Sequence, residues 1–201
     1  MIFRALTGNR NKERPTATDR LPPGQTLTQK WPVLHYGSIP RANLATWDFD
    51  VKGLVEEPAH WTYQEFLDLP HFAITRDMHC VTRWSTYDNN WEGIATRTVL
   101  DQVTLKPDAK FVLVHCDGGY TTNMPLSVFS DEDCLFAWRN NGQDITAEHG
   151  WPMRLVIPSR YAWKSAKWVR GIELLEKDQL GFWERYGYHN NADPWREERF
   201  A

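Results

Sequence analysis

Apolar and polar positions alternate along much of this chain in short runs, the pattern of strands with one buried face. Trp47, Phe49 and Val51 alternate with Asp48, Asp50 and Lys52, which predicts a half-buried strand ending at Gly53. Thr62 and Glu65 have capping-box spacing ahead of Phe66, Leu67 and Leu69, so a short helix is expected, stopped by Pro70. The next strand starts at Phe72, with Ile74 and Met78 as further apolar positions, and its alternation runs into His79-Cys80-Val81-Thr82-Arg83-Trp84. Asp88-Asn89-Asn90 reads as a turn. A second short helix is predicted near Arg97 to Val103, burying Val99, Leu100 and Val103. The unbroken apolar run Phe111 to Cys116 has the character of a central strand, closed by Asp117-Gly118-Gly119-Tyr120. Thr121 to Asp133 reads as a polar connection with one helical turn at Leu126 to Phe129. Strands follow at Cys134 to Arg139, Met153 to Ile157 and Trp168 to Leu175, with a hairpin turn over Asn140 to Asp144.

Many short strands, few short helices and long irregular connections predict an α+β domain around a mixed sheet. A polar arm is expected over residues 1–20 and a single domain over 21–201. The tail from Gly181 to Phe200 carries Phe182, Trp183, Tyr186 and Trp195, and is expected to wrap onto the domain to keep them from water.

Composition narrows the function. With 201 residues the chain can bury a sizeable core, and its net charge of -3 gives no basic footprint for nucleic acid. No apolar run approaches the ~20 residues of a membrane span, and the first residues lack an apolar signal core. Three widely spaced cysteines predict neither a disulfide framework nor a zinc ribbon, and suit a cytoplasmic setting. The 11 tryptophans are unusual: they either build a core or line a deep cleft for a bulky planar ligand.

The candidate chemistry centres on Cys80. Its neighbours His79 and Arg83 would favour a thiolate, suited to a soft metal or to nucleophilic attack. The alternative is a small buried hydrophobe. The dipeptides His79-Cys80 and His115-Cys116 suggest a zinc site, but neighbours on a strand point to opposite faces, so each dipeptide can offer only one ligand. A cysteine hydrolase pairing Cys80 with His35, His115 or His149 is a further alternative. A second constellation, Arg154, Lys164 and Lys167 with Arg160 and Arg170 nearby, mixes cations with Tyr161, Trp163 and Trp168. It is either a solvated basic hairpin or a holder for a phosphate beside a flat ring. In the latter case the small residues Ser165 and Ala166 would let backbone N–H groups approach the anion. The chain carries no P-loop and no G-x-G-x-x-G.

Taken together, LPPGQ, WPVLHYG, HCVTRW, HCDGGYTTNMPL, GWPMRL, WKSAKWVRGI and GFWERYGYHNNADPW resemble the molybdopterin-binding domain of the sulfite oxidase family, in its small single-domain bacterial branch. The resemblance covers nearly the whole chain. It implies a mixed-sheet α+β fold and an oxidoreductase with a molybdenum-molybdopterin cofactor. Cys80 would be the one protein ligand to the metal. His35, Tyr36, His115, His149, Arg154, Ser165, Ala166 and Lys167 would contact the cofactor, the last three at its phosphate, and Arg83 and Trp84 would face the substrate. The partners implied are a small-molecule substrate and an electron carrier of unspecified kind. Oxygen-atom transfer is the expected reaction, and a cofactor- or partner-binding module without activity is the alternative. Sulfite oxidases follow the ligand Cys with a basic run, whereas Val81-Thr82-Arg83-Trp84-Ser85 offers only Arg83, which argues against sulfite.

Overall fold

The computed structural model describes residues 20–201. The arm expected over residues 1–20 lies outside them except for Arg20. That residue is anchored, its guanidinium 2.5 Å from Asp77 and 2.8 Å from Asp88.

Among the described residues eleven strands, numbered in chain order, form two sheets. The first sheet holds β1 (Thr26–Leu27), β4 (Phe72–His79), β5 (Trp84–Ala95), β8 (Leu135–Asn140), β9 (Gln143–Asp144) and β10 (Arg154–Val156). Its backbone order is β1-β5-β8-β10, with β4 paired to β5 and β9 to β8. The second sheet contains β2 (Asp48–Gly53), β3 (Ala59–Thr62), β6 (Phe111–Cys116), β7 (Thr121–Pro125) and β11 (Val169–Leu175), in the order β3-β2-β11-β6-β7. Pairing is mixed: β1 with β5 and β2 with β11 are parallel, the rest antiparallel. The described residues also form four short α-helices: α1 (Tyr63–Leu67), α2 (Thr96–Leu100), α3 (Leu126–Phe129) and α4 (Phe182–Arg185). Among the described residues no helix is long and apolar enough to cross a membrane.

The main core lies between the sheets. Phe49 and Ile172 of the second sheet share one buried cluster with Ile94, Phe136 and Leu155 of the first, and the Phe49 and Phe136 rings lie 4.9 Å apart. α1 adds Phe66, fully buried. The capping box is formed as expected: the Glu65 amide donates to Thr62 Oγ1 and the Thr62 amide to Glu65 Oε2, at 3.4 and 2.9 Å. Local sequence determines this helix.

Several expectations need correction. Asp88-Asn89-Asn90 is no turn; it lies within β5. Asp88 takes a φ of 53°, at an irregularity where the β4–β5 register shifts between Arg76 and Met78. There Asn89 donates to the carbonyls of Arg76 and Thr86, and Asp77 accepts from the Asp88 amide. These turn-forming side chains are satisfied inside the ladder, as a bulge permits. Thr121 to Pro125, read as connection, is β7. Its polar Thr122 and Asn123 are buried because Glu184, Lys164 and Asp178 arrive from later in the chain to bond them. The tail does pack, but Tyr186 and Trp195 remain 70% and 47% exposed.

Candidate active site

β4 ends one residue before Cys80. The chain then turns: the Arg83 amide donates to Cys80 O and the Cys80 amide to Trp84 O, at 3.0 and 2.9 Å. Arg83 occupies the left-handed region, φ 72°. The turn aims Cys80 and Thr82 into a cleft of about 400 Å³, within the usual range for small-molecule sites. Thr82 Oγ1 donates to Cys80 Sγ at 3.2 Å. Burial pushes the Cys80 thiol up, while the Thr82 hydrogen bond and the Arg199 charge pull it back. A soft metal binding here would displace the thiol proton.

The sequence neighbours of Cys80 do not activate it. His79 is buried on the other side of the turn, its Nδ1 2.8 Å from Ser85 Oγ, and burial pulls its pKa down to about 4, so it is neutral at pH 7. Arg83 is exposed and absent from the cleft wall; its guanidinium lies beside Gly24. This corrects both the expected thiolate-forming charge and the expected substrate contact by Arg83. Alternation accounts for His79, which ends β4 and faces away from its neighbour Cys80, while the left-handed turn at Arg83 carries that side chain outward.

Positive charge enters the cleft from elsewhere. Arg154, at the start of β10, is 2% exposed and lines the cleft. It donates to His149 O at 2.8 Å and Ser165 O at 3.0 Å, and lies over the rings of Trp31 and Trp91. Among the described residues no carboxylate pairs with it and its Nε has no partner. Burial draws its pKa down to about 10. Lys167 also lines the cleft, donating to Leu34 O at 2.8 Å and Glu148 O at 2.6 Å. Burial and the nearby Arg154 bring its pKa down to about 7. Ser165 and Ala166 lie in the same wall. Ser165 Oγ accepts from the Ile157 amide, and the Ala166 carbonyl accepts from the Leu155 amide. The amides of Ala166, Lys167 and Trp168 donate to no described acceptor, and Trp168 turns the loop with a φ of 56°. Two under-compensated cations and three open amides make a place for an anion.

The basic constellation is therefore divided. Lys164 is buried against Glu184 at 2.5 Å, and Arg170 pairs with Asp48 and Asp117. Only Arg154 and Lys167 of that group line the cleft. The segment is mostly buried, so the solvated-hairpin alternative fails.

Flat side chains complete the walls. Trp31, Trp84 and Met78 line the cleft together with Tyr36, Trp163, Trp168, Phe182, Trp183 and Tyr188. Tyr36 packs on Phe182 with ring centres 4.7 Å apart, and His35 meets Trp168 edge-on. His149 does not line the cleft; it stacks behind Trp31 at 3.9 Å and supports that wall. His115 is separated from the others, on β6 of the second sheet, with its Nε2 2.9 Å from Glu173. Among the described residues no three His, Cys, Asp or Glu gather as metal ligands, so the zinc site suggested by the two His-Cys dipeptides finds no ligand set. Arg199, Trp183 and Tyr188 were missed by sequence reasoning as site residues. Only the aromatic density of the tail pointed towards them.

The model of the oxidoreductase molybdopterin binding domain matches residues 36–183. The chain belongs to this family. It is 42% identical over 183 residues to the uncharacterized oxidoreductase YuiH of Bacillus subtilis, covering 90% of this chain and 92% of that one. It is 28% identical to the putative protein-methionine-sulfoxide reductase subunit YedZ1 of Azospira oryzae, over 83% of this chain and 64% of the relative. The fold is shared with the sulfane dehydrogenase SoxCD of Paracoccus pantotrophus, with a TM-score of 0.67 and 20% identity, covering 76% of this chain and 43% of that one. The protein is thus a molybdopterin oxidoreductase whose cofactor is molybdenum-molybdopterin.

The residues present fit that cofactor. Cys80 is the one thiol on the cleft wall. Arg154, Lys167 and the open amides suit its phosphate, and the indole walls suit its fused rings. An anion next to Lys167 would raise that residue's pKa above about 7. Binding then takes up a proton, so affinity falls as pH rises through and beyond that value, by at most about tenfold per unit. Phosphate monoesters are already mostly dianionic there, with a second pKa of about 6, so the Lys167 term stands out. Retention of the cofactor after dialysis is expected to drop from pH 7 to pH 9 in the wild type and to be flat in Lys167→Met. A flat wild-type profile would contradict the placement of Lys167.

Proposed function

We propose that the protein catalyses oxygen-atom transfer on a small neutral oxide, such as a sulfoxide or N-oxide, in the reductive direction. In the balanced step one sulfoxide takes up two electrons and two protons, its S–O bond breaks, and one thioether and one water are formed. The bound cofactor supplies the two-electron change and the oxygen-accepting centre. Cys80 anchors the metal, and Arg154 with Lys167 holds the anionic end.

The observation that carries the substrate reading is the wall around Cys80. Val81, Thr82, Trp84, Trp163, Trp183 and Tyr188 are uncharged, and the two cations that line the same cleft, Arg154 and Lys167, are the ones assigned to the anionic end of the cofactor. With those cations engaged by the cofactor, a doubly charged anion finds no further cleft-lining cation among the described residues to replace its lost hydration. A sulfoxide needs one donor for its oxygen, which the Tyr188 hydroxyl can give. That phenol keeps its proton, because burial and Cys80 raise its pKa. The apolar part of the sulfoxide packs on the indoles. The name of YedZ1 as a methionine-sulfoxide reductase subunit supports the direction. A separate electron carrier would deliver the electrons. We further propose a cytoplasmic setting; three free, buried cysteines support a reducing compartment.

Steady-state kinetics with a sulfoxide, an N-oxide and sulfite, using an artificial carrier, test this reading. The kcat/KM for one of the neutral oxides should exceed that for sulfite by at least about 100-fold, the order expected when a charge enters without a partner. A sulfite value above both neutral oxides would overturn it.

A further inference from the structure

The turn that presents Cys80 is held from outside by two parts of the chain that lie beyond residues 36–183. Gln25 is 8% exposed. Its Nε2 donates to Cys80 O at 3.0 Å, and its Oε1 accepts from Ser85 Oγ at 3.3 Å. Arg199 is 6% exposed and comes from the opposite end of the chain. It donates to Val81 O at 2.8 Å and to Pro23 O at 3.2 Å, and its guanidinium lies 4.9 Å from the Tyr161 ring centre. Both residues fall outside the span matched by the family model.

We propose that Arg199 is a positioning residue for the molybdenum centre: it fixes the Cys80–Trp84 turn through Val81 O and places a positive charge on the turn that carries the metal-binding sulfur, with Gln25 holding the same turn through Cys80 O. The proposal rests on the reading of Cys80 as metal ligand.

The pairing of Arg199 argues for more than tail anchoring. Its nearest carboxylate oxygen, on Glu197, is 3.7 Å away and half-exposed, and its Nε has no partner among the described residues. Burying a weakly paired guanidinium is costly. The tail already has neutral fastenings: the Tyr188–Phe200 bridge, the His189 amide to Arg199 O and the Ala201 amide to Gly187 O. A neutral side chain would serve such anchoring without the cost of the charge. A cation favours the more negative, reduced state of a nearby metal. Two hydrogen-bonded carbonyls fix where that charge stands.

The test uses holoenzyme from a host that makes molybdopterin, as wild type, Arg199→Gln, Arg199→Lys, Gln25→Leu and Arg196→Gln. The last removes a cation that is 73% exposed on the same tail and serves as control. The measurements are metal content, the midpoint potential of the metal by EPR-monitored titration, the sulfur-to-metal charge-transfer band, kcat and KM. Arg199→Gln should lower the potential and shift the band, with kcat falling about 10- to 100-fold, the scale of a small misplacement at the reacting centre, and KM changing less. Arg199→Lys should keep the potential near wild type while still shifting the band. Gln25→Leu should shift the band without lowering the potential, and Arg196→Gln should match wild type. A lowered melting temperature in Arg199→Gln with potential, band and kcat unchanged would reduce Arg199 to a structural fastening and overturn the proposal. If Arg199→Gln does not fold, an unchanged band in both Arg199→Lys and Gln25→Leu overturns it equally. Failure of the underlying reading is seen separately: Cys80→Ser would then keep the wild-type band.

Discussion

Cys80→Ser should keep the fold and abolish the redox chemistry. The serine hydroxyl fills nearly the same space and can share the hydrogen bond that Thr82 gives to Cys80. Stability should change by about 1 kcal/mol or less, the net worth of an ordinary hydrogen bond. The metal site changes far more, because an alcohol is a harder and weaker donor than a thiolate for a soft-binding centre. Altering residues that merely orient metal ligands already costs about 10- to 100-fold, so losing a direct ligand, the role proposed for Cys80, should lower kcat beyond about 100-fold. Cys116 and Cys134 supply controls. Cys134 Sγ already donates to Val128 O at 3.3 Å, a bond serine can take over. Cys116 is 8% exposed in the main core, so serine there buries an unpartnered hydroxyl at about 1–3 kcal/mol. Both should retain kcat. Full activity in Cys80→Ser would end the assignment of Cys80.

Arg154→Met should strip the protein of cofactor while leaving the cofactor-free fold near its original stability. The lost charge-assisted contact is worth about 1.5–3 kcal/mol, or about 10- to 150-fold in cofactor dissociation constant. The stability effect is small for a different reason. Substitution leaves the carbonyls of His149 and Ser165 without their donor, but it also removes a buried charge that no carboxylate among the described residues neutralises. Those terms are of similar size and opposite sign. Lys164→Met makes the contrast. Its ammonium is buried against Glu184, whose Oε1 also accepts from Trp163 Nε1. Removing Lys164 strands a buried carboxylate, at a cost of about 3–5 kcal/mol. Thermal melts of the two cofactor-free variants, with cofactor content measured on the loaded forms, separate these cases. An Arg154→Met variant that holds cofactor as tightly as wild type would remove Arg154 from the site.

What could be read from the sequence was whatever short-range pattern determines. Thr62 and Glu65 specified their helix because both partners of the capping box lie within one turn. The alternation of Trp47 to Lys52 and the apolar run Phe111 to Cys116 specified strands β2 and β6. Cys80, Arg154, Ser165, Ala166 and Lys167 were legible as a thiol and a basic, small-residue loop, and the fold brings all five to one cleft. The errors arise from local chain direction, which turns neighbours away from the cleft, and from partners that arrive from other parts of the chain. His79 and Arg83 adjoin Cys80 in sequence yet neither faces the cleft, while Arg199, from the far end of the chain, bonds the Cys80 turn. Asn89 and Asn123 resemble loop residues until the partners that satisfy them arrive. His115 sits in a motif with Cys116, but strand geometry points its ring to Glu173, away from the cleft.

This cleft is proposed to hold molybdenum-molybdopterin, with Cys80 as the ligand to the metal among the described residues. Elemental analysis of protein purified from a host that synthesises the cofactor tests it most directly. The wild type should carry molybdenum in near-equal amount to chains, together with a phosphorylated pterin, and Arg154→Met should carry much less of both. Wild-type protein purified free of molybdenum and pterin from such a host would contradict the account.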